Sequence, residues 1–255
     1  KAARVQLEES LQRLGVDYID LWQFHEVNYD NDPEWIFESG GAIEAALEAR
    51  DQGKIRYIGF TGHKSPHILR TMLDMNVEWD ACQMPISPFD ASFRSFGREI
   101  LPSLNERGIA CLGMKSLGGN GQFVGVGGVT AQQCRRYALT QPISVLICGM
   151  LNEEDLRQDV GIARSFEPMT ETEQNELLAA IGQHTGYLPT RLADQAHELA
   201  RFVGGDAPAD YEQDLRAAHA ALSPRGFGPA RPGADRQVHT HCLIAAFASA
   251  PSLVL

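Results

Sequence analysis

The residues able to do chemistry are few and far apart. The run Ile19-Asp20-Leu21-Trp22-Gln23-Phe24-His25 is short, mostly apolar, and ends in an imidazole. A short apolar run between helical patterns reads as a buried parallel strand. Parallel barrels carry their chemistry at the C-terminal ends of strands, so His25 is the first candidate. A neutral imidazole donates one N–H, for instance to a carbonyl oxygen, while its other nitrogen accepts. The competing reading is a histidine that merely packs, because titratable groups in strands are often structural. Gln83 lies inside a second strand-like run, Trp79–Ile86, and a buried amide requires partners. Gly118-Gly119-Asn120-Gly121 lets the backbone approach a phosphate closely, although a flexible linker has the same composition.

These residues need a frame, and the apolar periodicity describes one. Residues 2–14 place Val5, Leu7, Leu11 and Leu14 at helical spacing, and Gly15 ends the pattern. Strand-like runs follow at Ile19–His25, Lys54–His63, Trp79–Ile86, Ile109–Leu117 and Ile143–Cys148. Helical patterns separate them: about Glu34 to Gln52, Ser65-Pro66 through Met75, Phe93–Arg107 broken at Pro102, and Thr130–Gln141. Asn152–Arg164 is helical, and Thr170-x-x-Glu173 is a capping box for a helix to about Ile181. Strict alternation of strand and helix means a parallel sheet in an α/β fold. A (β/α)8 barrel needs eight such units and typically ~250 residues. The five strands here predict a partial barrel, with about three units expected ahead of Lys1, where the chain opens inside a helical pattern.

Composition excludes several classes. Lys and Arg number 22 against 33 Asp and Glu, a net charge of −11. Such a surface repels nucleic acid and anionic lipid, so neither is an expected partner. No run of 18 apolar residues occurs, so no membrane span is expected. The five cysteines, Cys82, Cys111, Cys134, Cys148 and Cys242, form no C-x-x-C pair. That pattern suits buried free thiols in a reducing cytosol and argues against a metal site, so the expected location is cytoplasmic.

Several separate segments resemble one family in the right order. Leu7-Glu8-Glu9-Ser10-Leu11-x-x-Leu14-x-x-Asp17-Tyr18-x-Asp20-Leu21-x-Gln23-Phe24-His25 resembles the central signature of the aldo-keto reductases. Gly53–Gly62 is similar to the family's fifth strand, and Gln83 stands where its sixth strand carries a glutamine. Gly113-Met114-Lys115-Ser116-Leu117-Gly118 resembles the seventh, and Ile147-Cys148-Gly149 with the helix to Val160 resembles the last strand and its cofactor helix. The resemblance covers roughly residues 1–181 and makes the five strands the fourth to the eighth. It implies an NAD(P)H-dependent oxidoreductase that reduces small carbonyl compounds, or oxidises alcohols, by hydride transfer.

The resemblance also assigns roles. His25 would orient the carbonyl; the family's tyrosine donor and its lysine–aspartate partners would lie on strands ahead of this chain. Thr61, Gly62 and Gln83 would pin the nicotinamide carboxamide, and Met114 would replace a stacking aromatic ring. Lys115, Leu117 and Gly118 would meet the pyrophosphate, while Gly149, Gln158 and Asp159 would hold the adenosine end. After Gly149 the chain offers Met150-Leu151-Asn152-Glu153-Glu154-Asp155, where NADPH users tend to place a basic residue. Carboxylates repel a 2′-phosphate, so NADH is expected to serve at least as well as NADPH. Taken alone, a fragment without the proton donor is expected to be inactive. The alternative is a non-catalytic nucleotide-binding or regulatory relative. Residues 182–255 leave the resemblance: 190–202 and 210–222 have helical patterns, and 223–235 have a disordered composition rich in Pro, Gly and Arg.

Overall fold

Helix α1 (Ala2–Leu14) buries Leu7 and Leu11, leaves Val5 and Leu14 of the same periodic set exposed, and hands over to the first strand through Gly15. The computed structural model describes residues 2–92, 94–119, 121–184 and 242–247. Five strands follow in order: β1 (Ile19–Phe24), β2 (Ile55–Thr61), β3 (Ala81–Pro85), β4 (Ala110–Met114) and β5 (Val145–Met150). Each is parallel to the next. Parallel neighbours require crossovers, which α3 (Ala42–Asp51), α4 (Pro66–Asp74), α6 (Leu101–Arg107) and α7 (Ala131–Thr140) supply. The result is a curled half-barrel with helices on its outer side, the partial (β/α)8 architecture the alternation implies.

Alternation along the strands sorts the side chains. Ile58, Phe60, Cys82, Met84 and Cys111 face the helices and pack with Leu69, Met72, Ile100, Leu104 and Ala138 in one core. Phe60, Leu69, Met72 and Leu104 are fully buried, and each contributes roughly 1.5–3 kcal/mol by leaving water. Trp79, just before β3, enters this core from the N-terminal side of that strand. Its ring meets Phe60 at 4.8 Å, Phe24 at 5.9 Å and Phe37 at 6.2 Å, all edge-on. Its Nε1–H donates to Met72 O at 2.8 Å. On the opposite face Gln23 Nε2 donates to Gln83 Oε1 at 3.1 Å, and Gln83 Nε2 to the Met114 sulfur at 3.4 Å.

Three boundaries differ from the sequence reading. The helix expected over Glu34–Gln52 is two, α2 (Asp32–Phe37) and α3, because Ser39-Gly40-Gly41 interrupts it and glycine carries a poor helix propensity. The Phe93–Arg107 pattern also splits, but at Ile100: α5 (Phe96–Glu99) precedes α6, and Pro102 sits in the first turn of α6. There its missing N–H costs nothing, so proline begins the helix instead of breaking it. Cys242–Phe247, in the stretch read as an irregular tail, forms a sixth strand, β6, antiparallel to β5. The patterns at 190–202, 210–222 and 223–235 lie outside the described residues.

Past β5, α8 (Glu153–Arg164) and α9 (Glu171–His184) complete the described chain before β6. The Thr170–Glu173 capping box forms, with Thr170 N donating to Glu173 Oε2 at 2.7 Å and Glu173 N to Thr170 Oγ1 at 3.2 Å. Met169, Leu177 and Ile181 then pack on Val129 and Cys134 as a second, smaller core.

Candidate active site

β1 ends at Phe24, so His25 begins the loop at the C-terminal end of the sheet, and it is exposed. The next residue, Glu26, holds φ at 57°, a left-handed conformation that non-glycine residues adopt at a cost of order 1–3 kcal/mol. The strain is held by staples to β2: Glu26 N donates to Thr61 Oγ1 at 2.9 Å and Val27 N to Thr61 O at 2.7 Å. The same geometry aims the Glu26 carboxylate at a second imidazole, with Oε1 3.0 Å from His63 Nε2. Asn28 fixes His63 from behind, its Oδ1 accepting from His63 N at 3.0 Å. With Glu26 ionised, Nε2 carries the ring proton and donates it to the carboxylate.

The charges around this pair act on one another. The hydrogen bond from His63 holds the Glu26 carboxyl below its ordinary value. Burial holds His63 below the ordinary histidine value, against the pull of Glu26. Lys115, at the C-terminal end of β4, is felt by both, and burial lowers its own value. It too is strained, with φ 55°.

Linkage theory gives the pH consequence. The folded His63 binds its second proton less readily than the unfolded one, so stability falls as pH drops through about 6.5. Folded Glu26 is also more acidic than unfolded, so the loss continues as pH falls below about 4.3. Thermal unfolding of the chain should therefore show a lower melting temperature at pH 5 than at pH 7.5. His63→Gln should shrink the part lost between those values; an unchanged pH slope would show that the pair is not linked to folding.

His25 itself lines a recess of about 290 Å³ whose walls are Phe24, Glu26, Val27, Asp32, Trp35, Ile36 and Ala42. Thr61, Gln83 and Lys115 are not among these walls. Glu26 joins the two groups: it lines the recess and bonds to Thr61 and His63. The sequence reading passed over Glu26 and placed His63 only as the last residue of a strand-like run. The visible signal was a glutamate beside the strand-end imidazole, but its left-handed backbone leaves no mark in the sequence.

Most of the residues expected to meet the cofactor are already engaged. Gln23, which the sequence reading did not assign to the cofactor, has its Oε1 buried without a hydrogen-bond partner beside Gln83. Thr61 is buried and its oxygen already accepts from Glu26. Gly62 is a packing glycine: a Cβ there would stand 2.6 Å from Val27 O and 2.5 Å from Leu69 Cδ2. Met114 is buried, with its sulfur turned to Gln83. Leu117 packs on the second core. Gly118, at φ 72°, closes a turn on Lys115 O at 2.8 Å, and a Cβ there would strike the Phe123 ring at 2.6 Å.

At the far end the structure corrects one assignment. Asp159, expected to contact adenine, is buried, and both its carboxylate oxygens accept from Arg135 at 3.1 Å. Arg135 is buried as well; it also donates to Ser116 Oγ at 2.6 Å and to the carbonyl of Gly149 at 3.4 Å. The carboxylate is turned into the fold, and both its oxygens are engaged by Arg135. Gln158 stays exposed on α8. The start of α8 is also engaged: Asp155 N donates to Asn152 Oδ1 at 2.8 Å, and Leu151 N to Asp155 Oδ2 at 3.0 Å. Among the described residues no cluster of His, Cys, Asp and Glu could hold a metal, and no helix is long and apolar enough to cross a membrane. Cys82, Cys111, Cys134 and Cys148 are free and buried.

Comparison with known proteins agrees with this fold. Residues 1–127 match the model of the Aldo/keto reductase family. The NADH-specific methylglyoxal reductase of Escherichia coli is 32% identical over 109 residues, 43% of this chain and 31% of that protein. The L-glyceraldehyde 3-phosphate reductase of the same organism is 27% identical over 116 residues, 44% of this chain and 31% of that protein. The chain thus spans about a third of the length of the curated relatives it matches. An aldo-keto reductase from Bacillus halodurans in its apo form superposes with a TM-score of 0.53 at 19% identity, covering 70% of this chain and 67% of that one. A deep-sea metagenome aldo-keto reductase gives 0.52 at 14% identity, covering 70% of this chain and 66% of that one. The half-barrel is shared with these structures, the motif that ends in His25 lies inside the matched segment, and residues 1–127 of this chain therefore belong to the aldo/keto reductase family.

Proposed function

We propose that this half-barrel is the nucleotide-binding and carbonyl-orienting part of an NAD(P)H-dependent carbonyl reductase acting on small, soluble aldehydes, ketones or the corresponding alcohols. The observation that carries the reading is the amide pair beneath His25. Gln23 Oε1 is a buried acceptor without a partner, and Gln83 Nε2 gives its bond only to a thioether sulfur. One open acceptor and one under-used donor are what a primary carboxamide satisfies, so the nicotinamide end fits. The family match, and the NADH-specific and phosphate-sugar reductases among the relatives, support the same chemistry.

The adenosine end fits a 2′-phosphate poorly. Glu153, Glu154 and Asp155 occupy the first turn of α8, and the nearby N–H groups of Leu151 and Asp155 are already used. NADH is the better ligand on these grounds. Bound along the rim, the dinucleotide would supply the hydride. Gln23 and Gln83 would hold its carboxamide, and His25 would donate an N–H to the carbonyl oxygen. A proton must still reach that oxygen. The walls of the recess contain no hydroxyl group, and the resemblance assigns the family's tyrosine donor to strands ahead of β1.

Two measurements test this. Titration followed by the emission of the reduced nicotinamide should show NADH binding at least as tightly as NADPH; tighter NADPH binding would overturn the preference, and no binding of either would overturn the function. The isolated 255-residue chain should turn over no carbonyl substrate with either nucleotide, and robust reduction would remove the need for a donor outside it.

A further inference from the structure

We propose that the recess beside His25 binds a small methylated ammonium ion, seated on the indole of Trp35 and drawn in by Glu26 and Asp32. The inference goes beyond the reductase reading and needs no nucleotide, so either can fail without the other.

The cavity and its lining point to such a ligand. Its volume of about 290 Å³ lies at the lower end of the roughly 300–1,000 Å³ that ligand pockets span, so the ligand is small. Val27, Ile36 and Ala42 give it apolar walls that suit methyl groups. Its ionisable walls are His25, Glu26 and Asp32, two of them carboxylates and none a lysine or an arginine. Such a lining attracts a cation and repels a phosphate or a carboxylate. Lys64 senses the charge of Asp32 and Lys115 that of Glu26, yet neither is a wall of the recess. Lys64 Nζ lies instead over the ring of Tyr29, 4.3 Å from its centroid. A bare metal ion is the wrong cation, because among the described residues no group of His, Cys, Asp and Glu could hold one.

Trp35 is held where it can serve. Helix α2 turns its neighbours toward the fold: Pro33 is fully buried, and Ile36 and Phe37 pack on the main core. Trp35, between them, stays 60% exposed and is a wall of the recess. An indole in water forfeits much of the area that aromatic side chains usually bury, and its face attracts a cation more strongly than that of the other aromatic rings. Asp32 stands one helical turn before Trp35, on the same face of α2. Its Oδ2 accepts from Asn28 N and Tyr29 N at 2.8 Å each, which fixes the carboxylate without neutralising it. Glu26 is anchored through Oε1, 3.0 Å from His63 Nε2. Walls held in this way keep their places before a ligand arrives, which lowers the ordering cost of binding.

The test titrates the intact chain with choline and with 3,3-dimethylbutan-1-ol, its uncharged isostere, and follows the ligand methyl signals by saturation-transfer NMR. Choline should bind about fivefold more tightly than the alcohol, the upper range of a cation–π contact at an exposed site. Equal binding of the two would make the recess a purely apolar one and overturn the proposal, as would no binding of choline. Two variants assign the site. Trp35→Leu keeps an apolar wall and removes the π-face. Asp32→Asn keeps an acceptor oxygen for Asn28 N and Tyr29 N and removes the charge. Each should weaken choline several-fold, and Asp32→Asn should leave binding of the alcohol unchanged, which also reports that the variant is folded. Choline binding unaffected by both substitutions would place the ion elsewhere and overturn the assignment.

Discussion

Arg135→Met should destabilise the chain by about 3–5 kcal/mol, because it leaves the buried carboxylate of Asp159 with no counter-charge. The arginine side chain is 6% exposed and that of its partner 8%, so water cannot replace the guanidinium. Ser116 Oγ and Gly149 O lose a donor in the same step. A loss of that size removes much of the roughly 5–15 kcal/mol that holds a typical domain together. Arg135→Met combined with Asp159→Leu should recover most of it, since a well-packed apolar pair often matches a buried ion pair. Urea denaturation of the unsubstituted chain and the two variants measures this directly. A single-variant loss below about 1 kcal/mol would mean the pair is solvated and worth no more than a surface bridge.

Trp79→Ala should cost about 3–5 kcal/mol. Deleting the indole opens a cavity between Phe24, Phe37 and Phe60 and removes one of the two hydrogen bonds to the Met72 carbonyl, which keeps the one from Met75 N. Trp79→Phe should lose less, because it keeps the edge-on ring contacts and forfeits only the hydrogen bond and part of the volume. The consequence reaches the site. Phe24 is the residue before His25 and rests on Trp79, so Trp79→Ala should also weaken binding of NADH in the titration described above. Loss of stability with unchanged binding at a temperature where the variant is folded would show that the rim is held independently of this core.

The two substitutions bear on opposite ends of the rim. Trp79 supports the end where β1 delivers the imidazole; Arg135 ties β5, α7 and α8 together at the other. Two of the three non-glycine residues held at positive φ among the described residues, Glu26 and Lys115, follow strand ends on this rim, and the packing must maintain their backbone conformation.

Much of the frame was legible in the residues. The alternation of apolar runs with helical patterns was enough to order five parallel strands and to put His25 at a strand end, because period and burial are local properties of the chain. The Thr170 capping box was visible for the same reason. Glycine was harder to read. Gly40 and Gly41 end a helix that the apolar pattern alone continues, and Pro102 starts one that it was expected to break. Both depend on where the flanking turns fall, which side-chain periodicity does not encode.

The sequence by itself determined the order and type of the strands, the family resemblance, and the acidic start of α8 that argues against a 2′-phosphate. Only the tertiary structure decided what each polar side chain faces. It withdrew Asp159 from ligand contact by setting Arg135 against it from 24 residues away. It paired Glu26 with His63 across 37 positions and left Gln23 Oε1 without a partner. Hydrogen bonds and ion pairs form between groups that folding brings within about 3 Å, and separation along the chain carries no record of that distance.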